Sequence, residues 1–344
     1  MHNIEVIVDH STWVTSPVPP ELRSINTHIN FNLLDLLFHV SDATKNPNDI
    51  GVSINDYWAF LRYRNCFNSS GDLQLNESFE DVDSHQKTIL SDDIGMGFAS
   101  LIMDRTFNIQ SLIDTSFFIR HLPSLQVVNS RKKGPNKTPD FLVLDNSYEI
   151  HIIECKGTQN TLSSSETQLL KGVPQKTNIL DPSNIINQKL VIGTYIAKHN
   201  SRDTSRIKII DPELNYNFSN IDKDDIICLS LLGQFTKELN YYISSEISKL
   251  IPNISLDDVE AFRDLKELIL QDGSLNTLTT EIQKNNYREF TLEKSFDFSL
   301  VKEVITASNT MREFVSEFKE YKRSINDGVY KGIFGLTMKL SYTE

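Results

Sequence analysis

The sequence predicts an α/β protein, a mixed sheet flanked by helices with an N-terminal α+β addition and a helix-rich C-terminal one. Three observations carry that expectation. Helical and strand-like runs follow one another across residues 91–211; the nearly all-apolar "KLVIGTYIA" (189–197) fits the centre of a sheet; and 39% hydrophobic with 23% charged residues is the composition of a folded globular chain. With 344 residues the chain can bury a large core in one or two domains. Cys66, Cys155 and Cys228 are too few and too scattered for a disulfide framework or a zinc site, which implies a reducing compartment. The opening "MHNIEVIVDHSTWV" lacks a basic segment leading into an apolar one, and no run of about 18 apolar residues occurs. We therefore expect a soluble, cytoplasmic protein with no membrane contact.

Three regions are expected: 1–87, 88–213 and 214–344. The first opens on the strand-like "IEVIVDH", passes a proline-rich turn, and reaches "NSSGDLQLNESFEDVDS" (68–84), which reads as a loop or linker. In the second, "SDDIGMGFASLIMDRTFN" (91–108) starts on Ser91 and two acids and spaces Ile94, Phe98, Leu101 and Ile102 as a helix does. Gly95 and Gly97 weaken that helix by about 1 kcal/mol each, which implies close packing or close ligand approach. "SFFIRHL" reads as a short strand. "DFLVLD" (140–145) and "YEIHIIECK" (148–156), split by Asn146 and Ser147, read as a hairpin. "SSSETQLLKGVPQKTNIL" (163–180) is helical in its first half, with Pro174 marking a break, and "KLVIGTYIA" and "RIKIID" (206–211) are strands. In the third region, 257–273 and the long 300–324 segment read as helices, and "GVYKGIFGLTMKLSY" as a final strand.

Charge is unevenly placed. Residues 120–210 hold thirteen Lys or Arg against seven Asp or Glu, a local charge of +6 that leaves −18 for the rest of a chain whose total is −12. The basic excess gathers in "SRKKGPNK" (130–137), Lys171, Lys176 and 198–208. A phosphate-facing surface is the function this implies.

The chemistry lies in the hairpin. Strand side chains alternate, so Glu154 and Lys156 share one face, and Asp140, six residues before the turn, falls nearly opposite Glu154. Two carboxylates held together repel, and a divalent cation such as Mg2+ or Mn2+ relieves that cost while keeping waters and a substrate phosphate in its shell. Lys156 beside it can orient or deprotonate a water, or stabilise charge on a phosphate. The set fits metal-assisted phosphodiester hydrolysis. Taken alone, Glu-x-Lys is commonplace on exposed strands; Pro139–Asp140 across the hairpin, the acidic helix upstream and the basic window narrow it. Cys155 and His151 point to the opposite face and read as core. No HExxH, no Ser/His/Asp order and no GxxxxGK[ST] occurs, which removes metalloprotease and ATPase chemistry.

The residues "TPDF" and "IIECKG", at this spacing, resemble the PD-(D/E)XK nuclease superfamily over roughly 91–211. The resemblance implies a restriction-endonuclease-like core of helix, three strands, helix and strand. It implies metal ligation by Asp140 and Glu154, a catalytic role for Lys156, a first-helix acid at Asp93 with Asp92 as the alternative, and a second-helix residue at Gln175. "IGMGFAS", "ECKGTQ" and "GVPQK" further resemble the nuclease subunit of Hachiman-type anti-phage defence systems, implying DNA as substrate and a helicase or ATPase subunit as partner. A nuclease-like fold kept as a silent DNA- or partner-binding module is the other reading, and RNA or single strands the other substrates. Oligomeric state is not written in the sequence.

Overall fold

The structure, a computed structural model, describes residues 1–14, 16–25, 27–47, 63–122, 138–176, 185–211, 221–242, 250–271, 283–287 and 290–342. It is a mixed α/β protein built on two sheets. The larger, eight-stranded sheet contains β1 (His2–Val8), β2 (His28–Phe31), β3 (Gly71–Asp72), β4 (Ile109–Asp114), β5 (Phe141–Asp145), β6 (Ile150–Thr158), β7 (Ile186–Tyr195) and β8 (Arg206–Ile210). Its order is β2-β1-β8-β7-β6-β5-β4, with β3 joined to the side of β1. Among the described residues only β6–β7, β1–β8 and β1–β3 run parallel. Every residue of β5 is buried, as are eight of the nine in β6, which marks them as strands covered on both faces. β1 instead alternates buried with half-buried positions over His2–Val8, as a half-covered strand does.

The helices follow their caps. Asn32 accepts the Leu34 N–H to start α1 (Leu33–Thr44). Asp83 accepts from His85 and Gln86 and starts α2 at Ser84, seven residues before the expected Ser91, so that helix runs to Phe107 over 24 residues. "SFFIRHL" is a helix, α3 (Thr115–His121), because the Asp114 carboxylate accepts the Ser116 N–H, and the strand lies just upstream in β4. α4 (Leu162–Lys176) runs through Pro174 rather than breaking there. The basic segment 130–137 lies outside the described residues.

The "linker" 68–84 is part of the body. The Leu73 N–H donates to Asn3 and the Leu75 N–H to Ala197, and Leu73, Leu75 and Phe79 are buried. The sheet therefore crosses the boundary expected at 87/88, since β1 pairs directly with β8.

The C-terminal region holds more strand than its sequence promised. Beyond α5 (Lys223–Tyr242) and α6 (Val259–Gln271), β9 (Gln283–Tyr287) and β10 (Phe290–Phe296) join a five-stranded antiparallel sheet with β11 (Ser324–Asn326), β12 (Val329–Lys331) and β13 (Leu336–Tyr342). The expected long helix at 300–324 is two, α7 (Phe298–Ala307), which ends at an extended Ser308, and α8 (Met311–Ser316), which Thr310 caps by accepting the Glu313 N–H. The expected final strand is a pair, β12 and β13.

A buried polar cluster ties α1, α5 and the C-terminal sheet together. The Lys237 ammonium donates to the backbone oxygens of Asp42 and Leu112, and the Arg323 guanidinium to the Asp42 carboxylate at 2.5 Å. Glu238, fully buried, accepts the backbone N–H groups of Ile333 and Phe334 at 2.9 and 3.0 Å. No helix among the described residues is long and apolar enough to cross a membrane.

Candidate active site

Residues converge where β5, β6 and α2 meet. The β5–β6 register pairs Phe141 with Ile153, and its continuation sets Asp140 opposite Glu154. Asp140 is fixed twice: its backbone oxygen takes the Thr115 N–H at 3.1 Å, and its carboxylate takes the Cys155 N–H at 2.7 Å. Glu154 is wholly buried, and its Oε1 accepts a short hydrogen bond from the Lys156 ammonium. Its Oε2 is buried and, among the described residues, has no partner within hydrogen-bond distance. Leaving a carboxylate oxygen unpaired in the interior is costly unless something absent from the protein completes it.

Helix α2 is drawn onto the end of β6 by two glycines. A Cβ on Gly157 would stand 1.7 Å from the Ser91 backbone oxygen, and one on Gly95 2.8 Å from the Gly157 nitrogen. Only glycine at both positions lets backbone meet backbone here. The contact fixes the phase of the helix: Ser91 and Gly95 face the sheet, Asp92 stands exposed at its rim, and Asp93 turns inward.

That phase separates the two helix acids. Asp93 is buried and accepts a short hydrogen bond from the Tyr63 hydroxyl. Asp92 lies within the electrostatic reach of both Lys156 and Asp140. Of the two, Asp92 is the helix acid electrostatically coupled to Asp140 and Lys156, whereas Asp93 is turned to Tyr63. Gln175 lies in α4, but its side chain is outside the described residues, as is that of Lys176. Gln168, about two turns earlier, is the second-helix glutamine that lines a cleft shared with Asp92. The spacing of Ser91 and Gly95, four apart and both small, was the available sign of the helix face.

The electrostatics follow from burial. Burial, then the Asp140 carboxylate, push Glu154 up to about 8, against the pull of Lys156. Asp140 is raised chiefly by burial, with Lys156 and the Cys155 N–H opposing. Burial alone would lower Lys156, but Glu154 and Asp140 outweigh it and hold the ammonium above its ordinary range. Asp92 is raised by burial and eased by Lys156.

Among the described residues no group of three or more His, Cys, Asp or Glu stands close enough to cage a metal ion by itself. A cation with few protein ligands suits the arrangement all the same. One divalent ion would relieve both the burial of Glu154 Oε2 and the mutual repulsion of Asp140 and Glu154, and Mg2+ tolerates few protein ligands because waters fill its shell. His151, by contrast, is a core residue, bonded to Asp145 at 3.1 Å and packed 4.6 Å from the Phe107 ring.

Compared with protein-family models, curated proteins and solved structures, the chain finds no match in any of the three.

Proposed function

We propose that the chain is a divalent-metal-dependent deoxyribonuclease of the PD-(D/E)XK kind. One observation carries the reading: Asp140, seated on the Cys155 N–H, faces a buried Glu154 whose first oxygen is held by Lys156 and whose second has no partner among the described residues. The element order adds support. Helix α2, strands β4, β5 and β6, helix α4 and strand β7 follow one another, with β7 parallel to β6.

Asp140 and Glu154 would hold Mg2+ or Mn2+, with Asp92 at the rim. Bound there, the ion supplies Lewis-acid stabilisation and a more acidic water. The chain's own groups do the rest. The Cys155 N–H keeps the Asp140 carboxylate aimed at Glu154. Lys156, kept protonated by its two carboxylate neighbours, orients the attacking water and offsets charge growing on the phosphate, rather than removing a proton. The +6 charge of residues 120–210 favours a polyanionic substrate. The −18 remainder suits a protein partner, and a helicase or ATPase subunit in anti-phage defence, in the cytoplasm, is the setting this reading implies.

The test is cleavage of plasmid and linear DNA by purified protein with Mg2+ or Mn2+, beside EDTA and Glu154→Ala. Metal-dependent cutting that the variant lacks is the expected result. One observation favours a second reading, a silent binding module: the absence of a three-group ligand cluster among the described residues. DNA binding without cutting or divalent-ion binding would select it.

A further inference from the structure

A cleft of about 520 Å3 opens directly off the acidic site, sharing Asp92 and Gly157 with it. Five parts of the chain wall it: the N-terminal half of α2, the segment around Leu75–Glu80, the end of β6 and its turn at Gly157–Asn160, Gln168 of α4, and the turn after β7 that carries Lys198 and His199. The walls are fixed. Leu75 is bonded to Ala197, and the Gln159 amide donates to the Lys87 backbone oxygen at 3.0 Å. Its lining sets two lysines, Lys87 and Lys198, among two carboxylates, Glu80 and Asp92, with hydroxyls and amides between them. Lys198 is exposed and makes no side-chain hydrogen bond or ion pair among the described residues. Lys87 is steadied from the other side, its ammonium donating to the Glu80 backbone oxygen and lying 5.8 Å from the centre of the Phe79 ring. Gln168 and Asn160 supply amides that both donate and accept.

The size of the space limits what enters. A sphere of that volume is roughly 10 Å across, narrower than the major groove of a duplex alone, about 12 Å. A single nucleotide fits within the range of small-ligand pockets. Phe79 is buried beneath the floor at 3% exposure, so a base there is gripped by its edges and its phosphate rather than stacked.

We infer that this cleft holds one unpaired nucleotide of the strand being cut, beside the scissile phosphate, with Lys198 and Lys87 on phosphate oxygens and the Gln168 and Asn160 amides on the base edge. The inference rests on the nuclease reading and narrows it to single-stranded DNA, frayed ends or flaps. Blunt duplex is excluded from the cleft until a partner opens it.

The test uses the full chain carrying Glu154→Gln, which retains bound DNA uncut, and fluorescence anisotropy with a labelled single-stranded oligonucleotide and its blunt duplex in Mg2+ buffer. We expect the single strand to bind at least about tenfold more tightly than the duplex. Adding Lys198→Ala should weaken single-strand binding about tenfold and reduce the slope of log affinity on log salt by about 0.7, the loss of one phosphate contact. Adding Gln168→Ala should weaken it several-fold with the salt slope kept. Equal affinity for both DNA forms overturns the inference, as does single-strand binding that neither substitution changes. Far-ultraviolet circular dichroism confirms that each variant is folded before it is scored. Failure of the nuclease reading shows separately, as wild-type protein that cuts neither DNA form with Mg2+ or Mn2+; the cleft is judged on binding alone.

Discussion

The Asp140 carboxylate accepts the backbone N–H of Cys155 at 2.7 Å, a bond that reaches across the hairpin to the residue lying between Glu154 and Lys156. Successive backbone amides of a strand point to opposite edges, and that of Cys155 points to the edge where Asp140 stands. One acid is thus locked by the peptide that links the other two site residues.

From the phase of α2 it follows that the two adjacent helix acids behave differently. Asp92→Asn should lower metal-dependent cleavage about 100-fold, by removing a charge that senses Lys156 and Asp140. Asp93→Asn should instead cost about 1–2 kcal/mol of stability through its bond with Tyr63. Cleavage rates and denaturant melts of the two variants, side by side, check the assignment; the reverse pattern restores Asp93 to the site.

Gly157→Ala places a methyl group 1.7 Å from the Ser91 carbonyl oxygen, a backbone atom with nowhere to go. Helix α2 must shift away from β6, and we expect a loss of about 3 kcal/mol or more together with the loss of cleavage. A urea melt of the variant at the wild-type midpoint would expose this prediction as wrong.

The buried carboxylate at 154 costs the fold stability. Its folded pKa of about 8 lies above the ordinary carboxylate value, so near neutral pH the folded state must take up a proton that the unfolded chain does not hold. Glu154→Gln removes that cost, and we expect the metal-free protein to gain about 2 kcal/mol while cleavage disappears. Thermal denaturation in EDTA measures the first and a plasmid assay the second.

Glu238 makes a pH prediction away from the site. Burial lifts its carboxyl to about 7 in the folded protein, from an ordinary value of 4.5, with the Phe334 and Ile333 amides and Gln234 opposing. Between those two values the folded state binds the extra proton, so this group's contribution is present at low pH and is lost as pH rises to about 7. Glu238→Gln lacks that dependence, and its stability should gain on wild type by on the order of 3 kcal/mol between pH 4.5 and pH 8. Guanidinium melts of both proteins across that range read the difference.

Asp42 neutralises two buried cations. Asp42→Ala leaves the Arg323 and Lys237 side chains enclosed without their carboxylate, which should cost about 3–5 kcal/mol. A melt that shifts by less than about 1 kcal/mol would mean that water reaches the cluster.

Much of the sheet was legible because its signals are local. The hairpin at 140–156, the central "KLVIGTYIA" strand and the strands at 2–8 and 206–210 all show in apolar runs and turn residues, and Asp140, Glu154 and Lys156 meet as their spacing implied. What failed depends on partners distant in sequence. Which helix acid faces the site is decided by Gly157 pressing on Ser91, 66 positions away. "SFFIRHL" has strand-like aromatics but obeys the Asp114 cap, and β9, with Gln283, Lys284, Asn285 and Asn286, has almost no apolar residue to announce it.

The pairing of β1 with β8 sets a timetable for synthesis. Glu5 and its partner Arg206 stand 201 residues apart, so at about 5–20 residues per second the ribosome delivers β8 roughly 10–40 s after β1. For that interval β1 carries an open row of backbone donors and acceptors that any other extended chain can claim. A fragment cut at 88–213 would make the hazard permanent, because β8 would then be the bare edge.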